Sequence, residues 1–205
     1  MRRFLIVAVI LVFGGTLFGQ GLKPYTMGAQ SSETLEVVRE KTGQALRAAG
    51  FTILGQYQPA MDETRWVFVI NSPEMIEAVQ EIGELTGFAA ALRVGLTVEA
   101  GGVNISYTNP LYLGNAYFQK KFSDVEDKFL MVQDKLKQAM AGLGTVKDEA
   151  FGAKEGMTPK DISKYHYMFG MEYFQDVVEL TEFSSYEVGK SIIESKLSKG
   201  GDTEL

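Results

Sequence analysis

No cysteine occurs in the 205 residues, and histidine and tryptophan occur once each. The missing cysteines exclude disulfides, cysteine proteases, thioredoxin-like redox chemistry, cysteine zinc sites and a lipid anchor on an N-terminal cysteine. A single histidine, His166, excludes metal sites built from several histidines of one chain. It also leaves any Ser–His–Asp triad dependent on that one residue, and no GxSxG elbow accompanies it. Basic charge is short as well: 20 Lys and Arg stand against 26 Asp and Glu, a formal net charge of -6. Such a surface repels phosphate, so nucleic acid and anionic membranes are poor partners. No two carboxylates stand out as an acid–base couple. Glu74, Glu77, Glu81 and Glu84 read as the solvated face of a helix.

What is present begins at the N-terminus, MRRFLIVAVILVFGGTLFGQG. Arg2 and Arg3 precede an apolar run from Phe4 to Phe13, and small residues follow at Gly19 and Gly21. This is the layout of a secretory signal peptide over residues 1–21, and it is shorter than the roughly 20 apolar residues of a spanning helix. The expectation is a periplasmic or secreted protein cleaved after Gly19 or Gly21, with no span after cleavage. An uncleaved N-terminal membrane anchor is the alternative. The remaining composition, 45% hydrophobic residues overall, is that of a packed domain held without disulfides.

Leu35, Val38, Thr42, Ala45, Leu46 and Ala49 recur at helical spacing, with Ser31 or Ser32 as the expected cap and Gly50 as the stop. FTILGQYQ and RWVFVIN read as strands. Ser72 and Pro73 open a second helix, which Gly87 is expected to end. Two strands follow around a turn at Ala100–Gly102. In VNISYT, Val103, Ile105 and Tyr107 share one face and Asn104, Ser106 and Thr108 the other, so one face is buried. Phe118, Phe122, Val125, Phe129, Val132, Leu136 and Met140 then mark a short helix and a long one from about 124 to 141. Ser123 and Glu126 form a capping-box pattern there, and residues 142–163 read as loop with a capped turn at Thr158.

The segment 164–205 reads as a strand followed by a helix. TLEV at 34–37 aligns with SYEV at 185–188, and Leu35, Thr42 and Leu46 with Tyr186, Ile193 and Leu197. The tail is thus read as the start of a partial second copy of the first unit, against chance similarity between two amphipathic helices.

Residues 22–110 resemble the DUF302 (TT1751-like) family. The resemblance is carried by ALRAAGF at the end of the first helix, Asn71–Glu74 with Ala78, and Gly87-Phe88. Arg93–Glu99 (RVGLTVE), Gly101-Gly102 and the closing Asn109-Pro110 complete it. It implies an α+β fold, a β-sheet with helices packed on it, and no established reaction. Cysteines that many relatives carry are absent, so a thiol-based role cannot operate. The expected organisation is a signal peptide (1–21), a DUF302-like domain (22–112), a helical connector (113–163) and the strand–helix segment (164–205).

Two groups are candidate sites. Asn71, Arg93, Tyr107 and Asn109 lie at or near strand ends, where ligand crevices form, and Arg93 could pair with a carboxylate. The plainer reading is turn chemistry at the two asparagines. His166, Met168 and Met171 offer donors soft enough for Cu(I) or haem iron. Their plainer reading is an aromatic core strand whose methionines fill gaps, which would make Met168→Ala cost roughly 2–5 kcal/mol. The sequence is therefore read as an exported, non-enzymatic binding or accessory module without cofactor, with a homodimer among its candidate assemblies. The alternative is a periplasmic copper- or haem-handling protein.

Overall fold

The computed structural model describes residues 21–166, 168–174 and 176–198; the expected signal peptide lies outside them except for Gly21. The chain divides into a first unit ending at Phe174 and a second beginning at Gln175.

The first unit is a six-stranded sheet in the order β2-β3-β4-β5-β1-β6. Its strands are β1 (Tyr25–Ser31), β2 (Thr52–Tyr57), β3 (Arg65–Asn71), β4 (Leu92–Glu99), β5 (Gly102–Thr108) and β6 (Thr145–Phe151), and every pairing is antiparallel. Alternation sets the faces. Phe68, Val94 and Tyr107 lie side by side in the ladder, and all three are buried. Gly95 and Ser106, one residue out of phase, remain half-buried.

Four longer helices accompany the sheet: α1 (Leu35–Ala48), α2 (Pro73–Ile82), α3 (Pro110–Phe118) and α4 (Glu126–Met140). Val38 and Leu46 of α1, Met75 of α2, and Val132, Leu136 and Met140 of α4 join the buried strand residues in one core. The N-terminal half of the same aromatic stripe does something else. Phe118, Phe122 and Phe129 meet edge to face, with centroids 5.3 to 6.4 Å apart, and pack with Ala78 and Ala89. The stripe is thus a bridge from the sheet to α2, not a coiled-coil seam. A third cluster joins Tyr112, Ala116 and Ile162 to Leu22, Met157 and Phe174. Ile162 belongs to the one-turn helix α5 (Pro159–Ile162), and the Thr158 side chain accepts from the Asp161 amide as its cap.

Several local expectations are corrected. The loop expected over 142–163 contains β6, an edge strand whose residues are all exposed, so it shows no alternation. Residues 113–163 supply α4 and β6 to the same core and sheet as residues 22–112. α2 stops at Gly83, with φ of 70°, four residues before Gly87. The cap of α1 is Thr34, without a side-chain bond, and Val125, not Ser123, precedes α4.

Of Glu74, Glu77, Glu81 and Glu84, three are held in ion pairs and Glu77 stays exposed. Glu74 pairs with Lys135, Glu81 with Lys128 at 3.0 Å, and Glu84, just past the helix, with Lys121 at 2.9 Å. Two of these pairs repeat at seven residues on both helices, so α2 and α4 run antiparallel with a ladder of charge between them.

In the second unit, helix α6 (Tyr186–Ser198) forms, with the Ser185 side chain accepting from the Val188 amide. Phe183 packs against Gly189, leaving no space for a β-carbon there. The expected strand is absent among the described residues of 164–185. The residues aligned with the core of α1 are open to solvent: Tyr186 is 77%, Ile193 46% and Leu197 74% exposed, whereas Leu46 is fully buried. A helix forms where the alignment with α1 expected one, but among the described residues its aligned positions are not buried as those of α1 are.

Candidate functional site

β3 and β5 both run antiparallel to β4, so Asn71, Arg93 and Asn109 come to the same end of the sheet. They do not converge on one ligand. Asn109 is buried and fully engaged: its amide donates to the Lys23 carbonyl at 2.9 Å, and its oxygen accepts from Leu111 at 3.0 Å and Tyr112 at 3.4 Å, capping α3. Tyr107 is in the core, where burial and the charge of Asp148 push its phenol up to about 12 against an opposing Thr26 hydrogen bond. Arg93 lies on the opposite face, exposed, and its backbone amide donates to the Thr108 hydroxyl at 3.3 Å. Asn71 is half-buried in the pairing with Thr52 of β2.

A different set of residues does converge. Arg39, Gly43 and Arg47 repeat every four positions and therefore share one stripe of α1. Across from them stand Gln56 of edge strand β2 and Phe68 of β3, enclosing a groove of about 370 Å³. Gly43 makes the floor: a β-carbon there would sit 3.7 Å from Phe68 and 3.8 Å from Ile53. The groove continues past Leu35, Gln58 and Trp66 for about 310 Å³.

The charge in this groove is mixed but not balanced pair by pair. The Arg39 guanidinium lies 4.6 Å above the Trp66 ring, and the indole N–H donates to Gln56 Oε1 at 3.2 Å. Stacking holds a guanidinium by its face and leaves its N–H edge for a ligand. Arg65 is taken by Asp62 at 3.1 Å, and Glu40 accepts from Gln44 at 3.3 Å. Among the described residues, neither Arg39 nor Arg47 pairs with a carboxylate. Glu36 and Glu63 also line the walls, so the groove suits an isolated carboxylate between two guanidiniums and not a polyanion. A neighbouring hollow of about 480 Å³ beside Ser31 and Gly144 offers no comparable cation, because its Lys41 is held by Glu33 at 2.7 Å.

The groove also borders an unguarded sheet edge. β2 pairs only with β3, has one register irregularity between Ile53 and Gly55, and contains no charged residue. The other edge, β6, carries Lys147, Asp148 and Glu149, with Asp148 in the left-handed region at φ 47°. Charge and backbone irregularity are what keep an edge from pairing with another chain. β6 has both, beside exposed Val146 and Phe151; β2 has the irregularity but no charge, and exposes Leu54 and Tyr57.

No family model matches the chain, and no curated protein matches it. Among solved structures it is similar to a protein described as an uncharacterized conserved protein DUF302 from Bacillus stearothermophilus. The match has a TM-score of 0.51 and 15% identity, and spans 58% of this chain and 97% of that one. The chain has a DUF302-like fold. At this identity the likeness concerns the fold, and the groove's side chains are read on their own chemistry.

Outside the portion expected to be DUF302-like, the KYHYMFGMEYF segment takes an unexpected form. It is not a core strand: Met168 is 59% and Phe169 102% exposed, and Met171 is also exposed. His166 Nδ1 lies 2.7 Å from the Met168 carbonyl and the ring meets Tyr173 edge-on at 5.0 Å, which closes a local turn. A run of aromatics predicts a buried strand only when a sheet position is available, and β6 already occupies the edge beside β1. Among the described residues, no three histidine or acidic side chains cluster as a metal site. No helix of those residues is long and apolar enough to cross a membrane.

Proposed function

We propose that this protein is an exported, non-enzymatic binding module that takes an extended, acidic peptide segment into the groove between α1 and β2. The observation that carries the reading is the coincidence of an uncharged, unpaired edge strand with two arginines free of carboxylates on the facing helix. Strand addition supplies sequence-independent backbone hydrogen bonds, and a side-chain contact beside the edge supplies selectivity. Arg39 and Arg47 would read a carboxylate on the segment, with Trp66 and Gln56 fixing the Arg39 fork. Export rests on the N-terminal run after Arg2 and Arg3.

Trp66 is the sole tryptophan and lines the groove, so its emission reports occupancy. Titrating the protein with an acetylated eight-residue peptide of alternating valine and glutamate should change Trp66 emission saturably. The valine–lysine counterpart should not. Arg47→Ala should weaken the response at least several-fold, since one charge-assisted contact contributes roughly 1.5–3 kcal/mol. Equal responses to both peptides, or none to either, would contradict the reading.

A further inference from the structure

We propose that the segment received by this groove is residues 176–183 of a second copy of the chain, so that two copies assemble by reciprocal strand addition. This rests on the groove reading above and names its ligand. The segment reads DVVELTEF: three acids, no base and no proline, with two valines, a leucine and a threonine between them and a phenylalanine at the end. That is strand composition, yet it adopts no strand among the described residues. Its apolar side chains are uncovered, with Val178 and Leu180 each 75% exposed.

The two surfaces match by alternation. In an extended strand Val178 and Leu180 share one face and Glu179 takes the other. Laid along β2, this strand would place Val178 and Leu180 beside Tyr57, 44% exposed, and Leu54, 55% exposed, on the sheet face away from α1. Glu179 would then point toward α1, where Arg39 and Arg47 stand without carboxylate partners. The charge relation is complementary: β2 has no charged residue to oppose the acids. The opposite edge would place Asp148 and Glu149 beside them. A two-fold operation makes the exchange reciprocal, each copy giving one segment and receiving one, which closes the assembly at two.

The test is sedimentation velocity of the mature chain across a concentration series, with charge-reversal variants. Wild type should show a monomer–dimer equilibrium. Arg47→Glu and Glu179→Arg should each shift it toward monomer by at least tenfold in Kd. Mixed in equal amounts, the two variants should recover a dimer, because one interface of the mixed pair is then wild type and the other is charge-swapped. Leu180→Pro lies outside the first unit, so that unit should melt unchanged while dimerisation is lost. A chain that stays monomeric at all concentrations, or a dimer indifferent to all three substitutions, would overturn the proposal. The valine–glutamate peptide distinguishes the two levels of failure. A monomer whose Trp66 emission still responds to that peptide retains the groove but not this ligand, and a monomer without response loses both.

Discussion

Glu74 shows how one side chain couples helix packing to pH. Burial pushes its carboxyl up, but hydrogen bonds from Lys135, its own backbone amide and Ser72 outweigh that, and its pKa falls below the ordinary 4.5. A carboxyl depressed in the folded state contributes stability above its unfolded pKa and loses it as pH falls through the folded value. Glu74→Gln should therefore lower stability by roughly 1–2 kcal/mol at neutral pH, between the values for exposed and buried pairs. The deficit should stay constant down to about pH 5 and shrink below the ordinary carboxylate range. Urea melts of both proteins from pH 7 to pH 3 measure it, and a deficit that grows in acid would contradict the assignment. Met168 makes the opposite point. Being exposed, Met168→Ala should change stability by about 0.5 kcal/mol or less. Phe129→Ala, at the centre of the aromatic cluster, should cost about 3–5 kcal/mol by the same melts.

At the scale of elements, α1 serves two faces. Val38, Thr42 and Leu46 are buried against the sheet, while Arg39, Gly43 and Arg47 line the groove beside them. Gly43 is poor helix chemistry, and a β-carbon there would meet its neighbours at 3.4 Å or more, ordinary contact. Gly43→Ala should thus raise thermal stability by roughly 0.5–1 kcal/mol while reducing the Trp66 response to peptide, because it fills the groove floor. A stabilised variant with undiminished binding would place the ligand elsewhere. The periodicity that revealed α1, α4 and the alternation of β5 was legible because burial imposes it on sequence. β6 left no such mark, since an edge strand with every residue exposed has no face to encode. The ion pairs of α2 were illegible for another reason: their lysines lie 37 to 61 positions away in the chain. The groove was missed because its signal is relational. An arginine becomes a candidate only when the ion pairs around it are known: Arg65 is taken by Asp62, while Arg39 and Arg47 make no ion pair among the described residues. Asn109, conversely, stood out in sequence and proved to be a cap.

At the scale of the whole molecule, the DUF302-like sheet sets an asymmetry between its two edges, and the account depends on it. The edge β6 carries three charged residues, and the uncharged edge β2 lies beside two arginines. At one end of the sheet Ser72 and Asn109 are committed to capping α2 and α3, and the α1–β2 border is where the proposed partner strand adds. Hydrogen–deuterium exchange of the protein, with and without saturating valine–glutamate peptide, tests this most directly. Exchange should slow in the β2 amides not bonded to β3, within Thr52–Tyr57, together with residues of α1, and stay unchanged in Thr145–Phe151. Protection confined to β6 or to the far end of the sheet, with β2 exchanging at its original rate, would contradict it.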